Sequence, residues 1–385
     1  MRVLVLVFLF LTTMLSARDS VVVSFSGQVA AWQTTKLTDP LLWYSGGRFV
    51  PEFKAELSGL TGSMLDLEAS FNANGTINWN EGADPQVFTQ LKPYRMWMRY
   101  SAQQWELRAG LQKINFGSAK MIRPLMWFDG MDIRDPLQLT DGVYGLLGRY
   151  YFASNATIWA WGLTANHRPK GYEMAGTARW KPEVGGRVQL PFGPGEIALS
   201  YHHRRVNPAV NLLSVELAEA SLPEHRLGID GKWDFEVGIW VEASLVALGS
   251  SAAHPTILPA RTDMVTAGMD YTLPVGNGLG ATLEYFRYHA GDRFFSEGVT
   301  ANMVATMFTY PLSMMDNLSL MVFYIPASSQ SYWMNYLCWS RTYDNLSVYL
   351  IGFVNPDNYS LPGMSVTGSG QFAGKGLQLM LSYNF

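Results

Sequence analysis

The side chains best placed to act on a solute gather between Ile114 and Val143: Lys120, Arg123, Asp129, Asp132, Arg134, Asp135 and Asp141. These are fixed charges of both signs with no histidine among them, so their chemistry is electrostatic rather than nucleophilic. The same stretch carries Met121, Ile122, Leu125, Met126, Trp127, Phe128, Met131, Ile133, Leu137 and Leu139. A solvated loop does not hold so much apolar side chain, and about 30 residues is well past hairpin length. The stretch is therefore expected to fold into an interior, where its charges line a constriction. The alternative is that Asp132, Arg134 and Asp135 only tie the loop together by ion pairs.

Other reactive residues form no such cluster. His202-His-Arg-Arg205 lies in a segment of alternating polarity, so His202 and Arg204 face one way and His203 and Arg205 the other. Metal ligands must converge, so basic residues near a rim are expected to meet lipopolysaccharide phosphates or attract anions. His167, His225, His254 and His289 sit in no motif with a serine or carboxylate at diagnostic spacing. No enzyme activity, cofactor or metal is expected. The single cysteine, Cys338, forms no internal disulfide and is expected to face lipid as a small apolar residue.

The elements that must carry these residues are strands. In Gly376–Phe385, Leu377, Leu379, Leu381, Tyr383 and Phe385 share one face, and Gln378, Met380, Ser382 and Asn384 the other. This ending, with Tyr383 and a terminal Phe385, resembles the C-terminal signature of Gram-negative outer-membrane β-barrel proteins. The resemblance implies that the barrel-assembly machinery reads these residues. Segments of about ten residues repeat the pattern upstream. Leu65, Leu67, Ala69 and Phe71 oppose Asp66, Glu68, Ser70 and Asn72. Tyr94, Met96, Met98 and Tyr100 oppose Arg95, Trp97 and Arg99, with the aromatics read as interfacial girdles. Glu106, Arg108 and Gln112 point inward from the next segment.

Short and long connections alternate, the long ones falling near 34–49, 73–91, 114–143, 165–182, 205–223, 248–260, 290–299, 326–330 and 355–371. Counting strands between them gives an all-β, antiparallel transmembrane barrel of about 18 strands, with 16 as the neighbouring solution. Such a barrel must close, because lipid cannot satisfy an open edge. Strands near 300–325 and 331–354 are apolar on both parities in places. There the wall packs on an inward loop or on a neighbouring subunit, which leaves a homo-oligomer open.

Composition agrees with this class. Charged residues are 15% of the chain, against about 25% in soluble domains. The net charge of −3 implies no nucleic-acid partner. Residues 1–17 read as a signal peptide, with Arg2, an apolar run from Val3 and the small Ala17; residues 18–385 form the barrel. An N-terminal plug domain is not expected before the first strand.

The long stretch at 114–143, third among the outer loops, resembles the inward third loop of porins. Gly110–Gly117 followed by Asp132-Ile-Arg-Asp-Pro136 is also similar to a segment of uncharacterised outer-membrane barrels. The function this implies is passive diffusion of small hydrophilic solutes across the outer membrane. Arg95, Arg99, Glu106, Arg108 and Arg149 are expected on the lumen wall, with Glu56, Asp66, Glu68, Asp230 and Glu242. Membrane lipid and lipopolysaccharide are the expected surroundings. Two alternatives stay open: a transporter of lipophilic compounds with an occluded lumen, and a structural or adhesion barrel.

Overall fold

The computed structural model describes residues 20–37, 41–58, 62–80, 84–207, 221–249, 258–326, 331–357 and 371–385. The expected signal peptide at 1–17 lies outside the described residues. So do most of the loop regions expected at 205–223, 248–260 and 355–371.

Eighteen strands run in chain order around one sheet. The first five are β1 (Ser20–Lys36), β2 (Leu42–Ser58), β3 (Met64–Asn80), β4 (Gln86–Ser101) and β5 (Trp105–Gln112). After a long connection come β6 (Val143–Tyr151) and β7 (Thr157–Leu163), then β8 (Glu183–Phe192), β9 (Gly195–Val206), β10 (Leu222–Asp234) and β11 (Gly238–Leu248). The remainder are β12 (Arg261–Leu273), β13 (Leu279–Gly291), β14 (Gly298–Pro311), β15 (Asp316–Ile325), β16 (Tyr332–Thr342), β17 (Leu346–Val354) and β18 (Lys375–Asn384). Each pairs antiparallel with the next. The ring closes where β1 pairs with β18, from Gln28 opposite Asn384 to Lys36 opposite Gly376. Closure leaves no strand edge for lipid to solvate, which is the condition for crossing a bilayer with strands.

Side-chain period fixes the two faces. On β18, Leu377, Leu379 and Leu381 are 44–51% exposed, whereas Gln378, Met380 and Ser382 are 2–4% exposed. The expected division of the last strand holds. At the seam, Phe385 and Gly27 exchange both backbone hydrogen bonds at 3.0 Å. The Phe385 ring packs on Phe25, with centroids 5.5 Å apart, and fills the space a Cβ at Gly27 would need.

Three expectations require correction. The long connections expected near 34–49 and 73–91 are mostly strand: β1 and β2 pair to Lys36–Leu42, and β3 and β4 to Asn78–Gln86. Within the first of these, Gly46 is a strand position covered by the Trp32 indole, where a Cβ would collide. Tyr94 does not continue the lipid stripe. Ser70 pairs with Arg95 and Phe71 with Pro93, so Tyr94 is the extra residue of a β-bulge. It lies instead against Thr140, with the Arg95 guanidinium 4.0 Å from its ring centroid. Cys338 shares the inward face of the buried Met334 and Tyr336, and it is Trp333 and Leu337 that face outward. Apolar residues on both parities of β16 hide its register from the sequence.

The interior explains that double apolarity. Met121 and Ile122 of the connection 113–142 join one core with Met264, Phe286, Met303, Phe323, Met334 and Tyr336 of β12–β16. Phe116, Leu125, Trp127 and Phe128 join a second with Leu147, Trp161 and Leu163 of β6 and β7. The inward apolar side chains of β12–β16 pack in one cluster with this loop.

Candidate functional site

The connection 113–142 rests on two carboxylates of the far wall. It turns at Gly117 (φ +105°), where a Cβ would collide with the carboxylate of Glu242 from β11. That carboxylate accepts the backbone N–H of Ala119 at 2.9 Å and of Leu125 at 2.6 Å. Glu284 of β13 accepts the N–H groups of Lys120, Met121 and Ile122 at 2.7, 3.0 and 2.7 Å. It also accepts the Trp240 indole N–H at 3.0 Å. Both carboxylates are fully buried. Burial without donors would be costly, and these N–H groups supply the charge-assisted bonds that offset it. Thr266 Oγ1 donates to Ile122 O at 2.8 Å, and the Trp127 indole N–H donates to Ser244 Oγ at 3.0 Å. Lys120 Nζ meets Asp270 at 2.6 Å.

The loop charges divide into two groups. Arg123 and Asp129 pair at 3.3 Å inside the loop and are 5% and 1% exposed, so they face no open space. Arg123 also bonds Phe116 O at 3.1 Å and the side chain of Asn115. Asp132 and Arg134 form a bidentate pair at 2.7 and 2.8 Å, with the Asp132 carboxylate partly exposed. Asp135 caps Leu137 N–H at 3.0 Å and reaches Arg48 of β2 at 3.5 Å. Lys92 of β4 meets Asp141 at 2.5 Å.

The wall residues expected on the lumen do meet one another. Arg99 bonds Asp66 at 2.7 Å, and Arg149 bonds Glu106 at 2.9 Å. Arg99 and Arg108 are cross-strand neighbours. Like charges directly opposite are unfavourable. Here Asp66 and Glu106 lie on the adjoining positions, and Arg108 stacks on Trp97 at 4.7 Å. Arg149 stacks on Trp159 at 3.9 Å. The side chains of Arg99, Arg108 and Arg149 are 28, 14 and 16% exposed. Arg95 stands apart: it donates to the carbonyls of Tyr94 at 2.6 Å and Thr140 at 2.9 Å, holding the returning arm of the loop.

A second set includes Asp230 and Arg204, whose inward parity was read from the sequence, with partners that were not. Arg187 grips Asp230 at 2.5 and 2.9 Å. Arg204 and Arg226 share Glu173 and Glu224, at 2.6–2.9 Å, and so bind the connection 164–182 to the wall. His202 and Arg204 are buried inside as their parity requires, with His202 Nε2 3.1 Å from Glu183. His203 lies outside, its ring 4.6 Å from that of His225. Among the described residues no three or more metal-ligating side chains converge. The only sequence signal for the Arg204–Arg226 network was inward parity.

No family model and no curated protein matches the sequence. Solved structures do match the fold. OccK5 (OpdH) of Pseudomonas aeruginosa aligns over 94% of this chain and 98% of its own, with a TM-score of 0.59 and 12% identity. OccAB1 of Acinetobacter baumannii aligns over 95% and 96%, with a TM-score of 0.56 and 8% identity. The fold is that of an outer-membrane porin. The outer-membrane protein OmpT of Vibrio cholerae, solved in a trimer form, aligns over 95% and 100% with a TM-score of 0.53 and 12% identity. Shared architecture at such identity reflects how little a barrel wall demands: alternation, turns and closure, with few fixed residues.

Proposed function

We propose that the chain is a passive channel for small hydrophilic solutes in the Gram-negative outer membrane. The observation that carries this reading is the charged patch of Asp66, Arg99, Glu106, Arg108 and Arg149. Its side chains bond one another rather than the loop, and on the inward face of β3–β6 the three arginines stay partly accessible over the buried Asp66 and Glu106. A barrel of about 18 strands is wide enough for an aqueous lumen, and charged inward residues suit a wetted wall. Loop 113–142, held on Glu242 and Glu284, narrows that lumen from the opposite side. Of its charges, Lys120, Asp132, Arg134 and Asp135 line the passage, while Arg123 and Asp129 keep the loop in shape. Selectivity comes from these fixed charges, and the reading includes no catalytic step or cofactor.

Residues 1–17 direct export, and Tyr383 and Phe385 present the barrel to its assembly machinery. Lipid and lipopolysaccharide surround the outward face, and assembly into a homo-oligomer is compatible with it. The test is single-channel recording of purified protein in planar bilayers. Discrete ohmic conductance steps are expected, rising when residues 120–138 are excised. Electrically silent protein that is folded and inserted would exclude the channel.

A further inference from the structure

Between the loop and the wall lies a cavity of about 360 Å³ that a passage for hydrophilic solutes does not require. Its floor is apolar: Met121 and Met126 from the loop, and Phe286, Met303, Phe323 and Met334 from β13–β16. Its volume falls in the range of small-molecule sites, which combine an apolar lining with a few placed polar groups. Methionines give such a lining an adaptable shape.

Two polar side chains of the lining, Lys170 and Tyr172, come from the connection 164–182. Tyr172 stacks on Phe286 with ring centroids 5.7 Å apart. Its hydroxyl is buried and has no hydrogen-bond partner among the described residues. Lys170 lines the same cavity, and among the described residues its ammonium forms no ion pair within 4.0 Å. Burial holds this amine below its usual pKa and pushes the Tyr172 phenol above its own. The other charges of the lining satisfy each other, Lys92 with Asp141 and Arg134 with Asp132. Left without such partners among the described residues are two donors of lining residues, Tyr172 Oη and Lys170 Nζ. A buried donor without an acceptor is unfavourable, so an occupant that brings one gains on both counts.

We infer that this cavity binds a small amphipathic molecule: a benzene ring or short alkyl chain as its apolar body, and one oxygen acceptor at its end. The body lies among Met121, Phe286, Met303 and Phe323, and the oxygen meets Tyr172 Oη and Lys170 Nζ. This goes beyond passive diffusion, because it gives the channel a residence site for solutes that water-filled passages do not retain.

Binding is read without ion current, so failure of this site and failure of the channel reading remain distinguishable. The full chain in lipid nanodiscs is dialysed to equilibrium against tritiated 4-phenylbutan-2-one, with empty nanodiscs subtracted for partition into lipid. One saturable site per chain is expected. Tyr172→Phe, which keeps the ring and removes the donor, is expected to weaken the ketone about fivefold, the worth of one hydrogen bond. It should leave butylbenzene, which has no oxygen, unchanged. Met303→Trp fills the chamber and is expected to abolish saturable uptake in protein that still runs as a folded barrel. Uptake equal to empty nanodiscs would overturn the inference. So would equal affinity for ketone and butylbenzene, or a Tyr172→Phe protein that binds the ketone as tightly as the parent.

Discussion

Glu284 is where the position of the loop is most exposed to a single substitution. Its carboxylate accepts three consecutive loop N–H groups and the Trp240 indole. Glu284→Ala orphans all four donors in a buried place. Each costs about 1–3 kcal/mol, with non-additivity and the relieved burial of the carboxylate reducing the sum. A net loss of roughly 3–6 kcal/mol for the docked loop follows. Opposing detachment are the two bonds to Glu242, the Thr266 bond to Ile122 O, the Lys120–Asp270 pair and the burial of Met121 and Ile122, each of these two side chains contributing about 1.5–3 kcal/mol. Residues 118–123 should therefore leave the wall more often than in the parent protein, while the distal half around Trp127 and Phe128 stays packed. Glu284→Gln keeps one acceptor oxygen and should lose about half as much. Trypsin reports the release, because Lys120–Met121 becomes a cleavable bond whereas Arg123 is protected by Pro124. In bilayers the conductance of Glu284→Ala should rise towards that of the 120–138 excision, with added open-channel noise. Full protection of Lys120 together with parental conductance would refute the claim that this carboxylate holds the loop.

The wall, the seam and the loop charges give further tests. Met98→Arg places a charge on the lipid face and should destabilise by about 2–4 kcal/mol near the midplane, while Glu68→Arg, on the inward face, should cost far less; urea unfolding in vesicles measures both, and equal costs would mean the faces are exchanged. Removing Phe385 takes away the ring over Gly27 and two seam hydrogen bonds, and should lower the yield of heat-modifiable protein in cells; a normal yield would contradict both its seam and its signal roles. Asp132→Asn removes a negative charge beside Arg134 and the passage and should shift the reversal potential towards anions. Asp129→Asn, sealed against Arg123, should instead lower stability by about 3–5 kcal/mol with little change in selectivity.

What the sequence made legible is what period two can carry. β18 shows its leucines outward and Gln378 inward; His202 and His203 part company across the wall; the strand number follows from turns between alternating segments. Parity fails where both faces are apolar, as at Cys338, and where one extra residue breaks the ladder, as at Tyr94. A glycine inside a strand can serve a neighbour's bulk, as Gly46 does beneath Trp32. The apolar content of 114–143 was legible, and its burial followed. Its anchors were not, because Glu242 and Glu284 lie more than 100 residues away in the chain. Yet a physical signal was present. On the inward face, Glu242 pairs across to Thr266 and Glu284 to Gly268, with no cation at either position. A carboxylate buried in a wall without a base must find its donors elsewhere. The long apolar loop supplies them from the backbone N–H groups of Ala119, Lys120, Met121, Ile122 and Leu125.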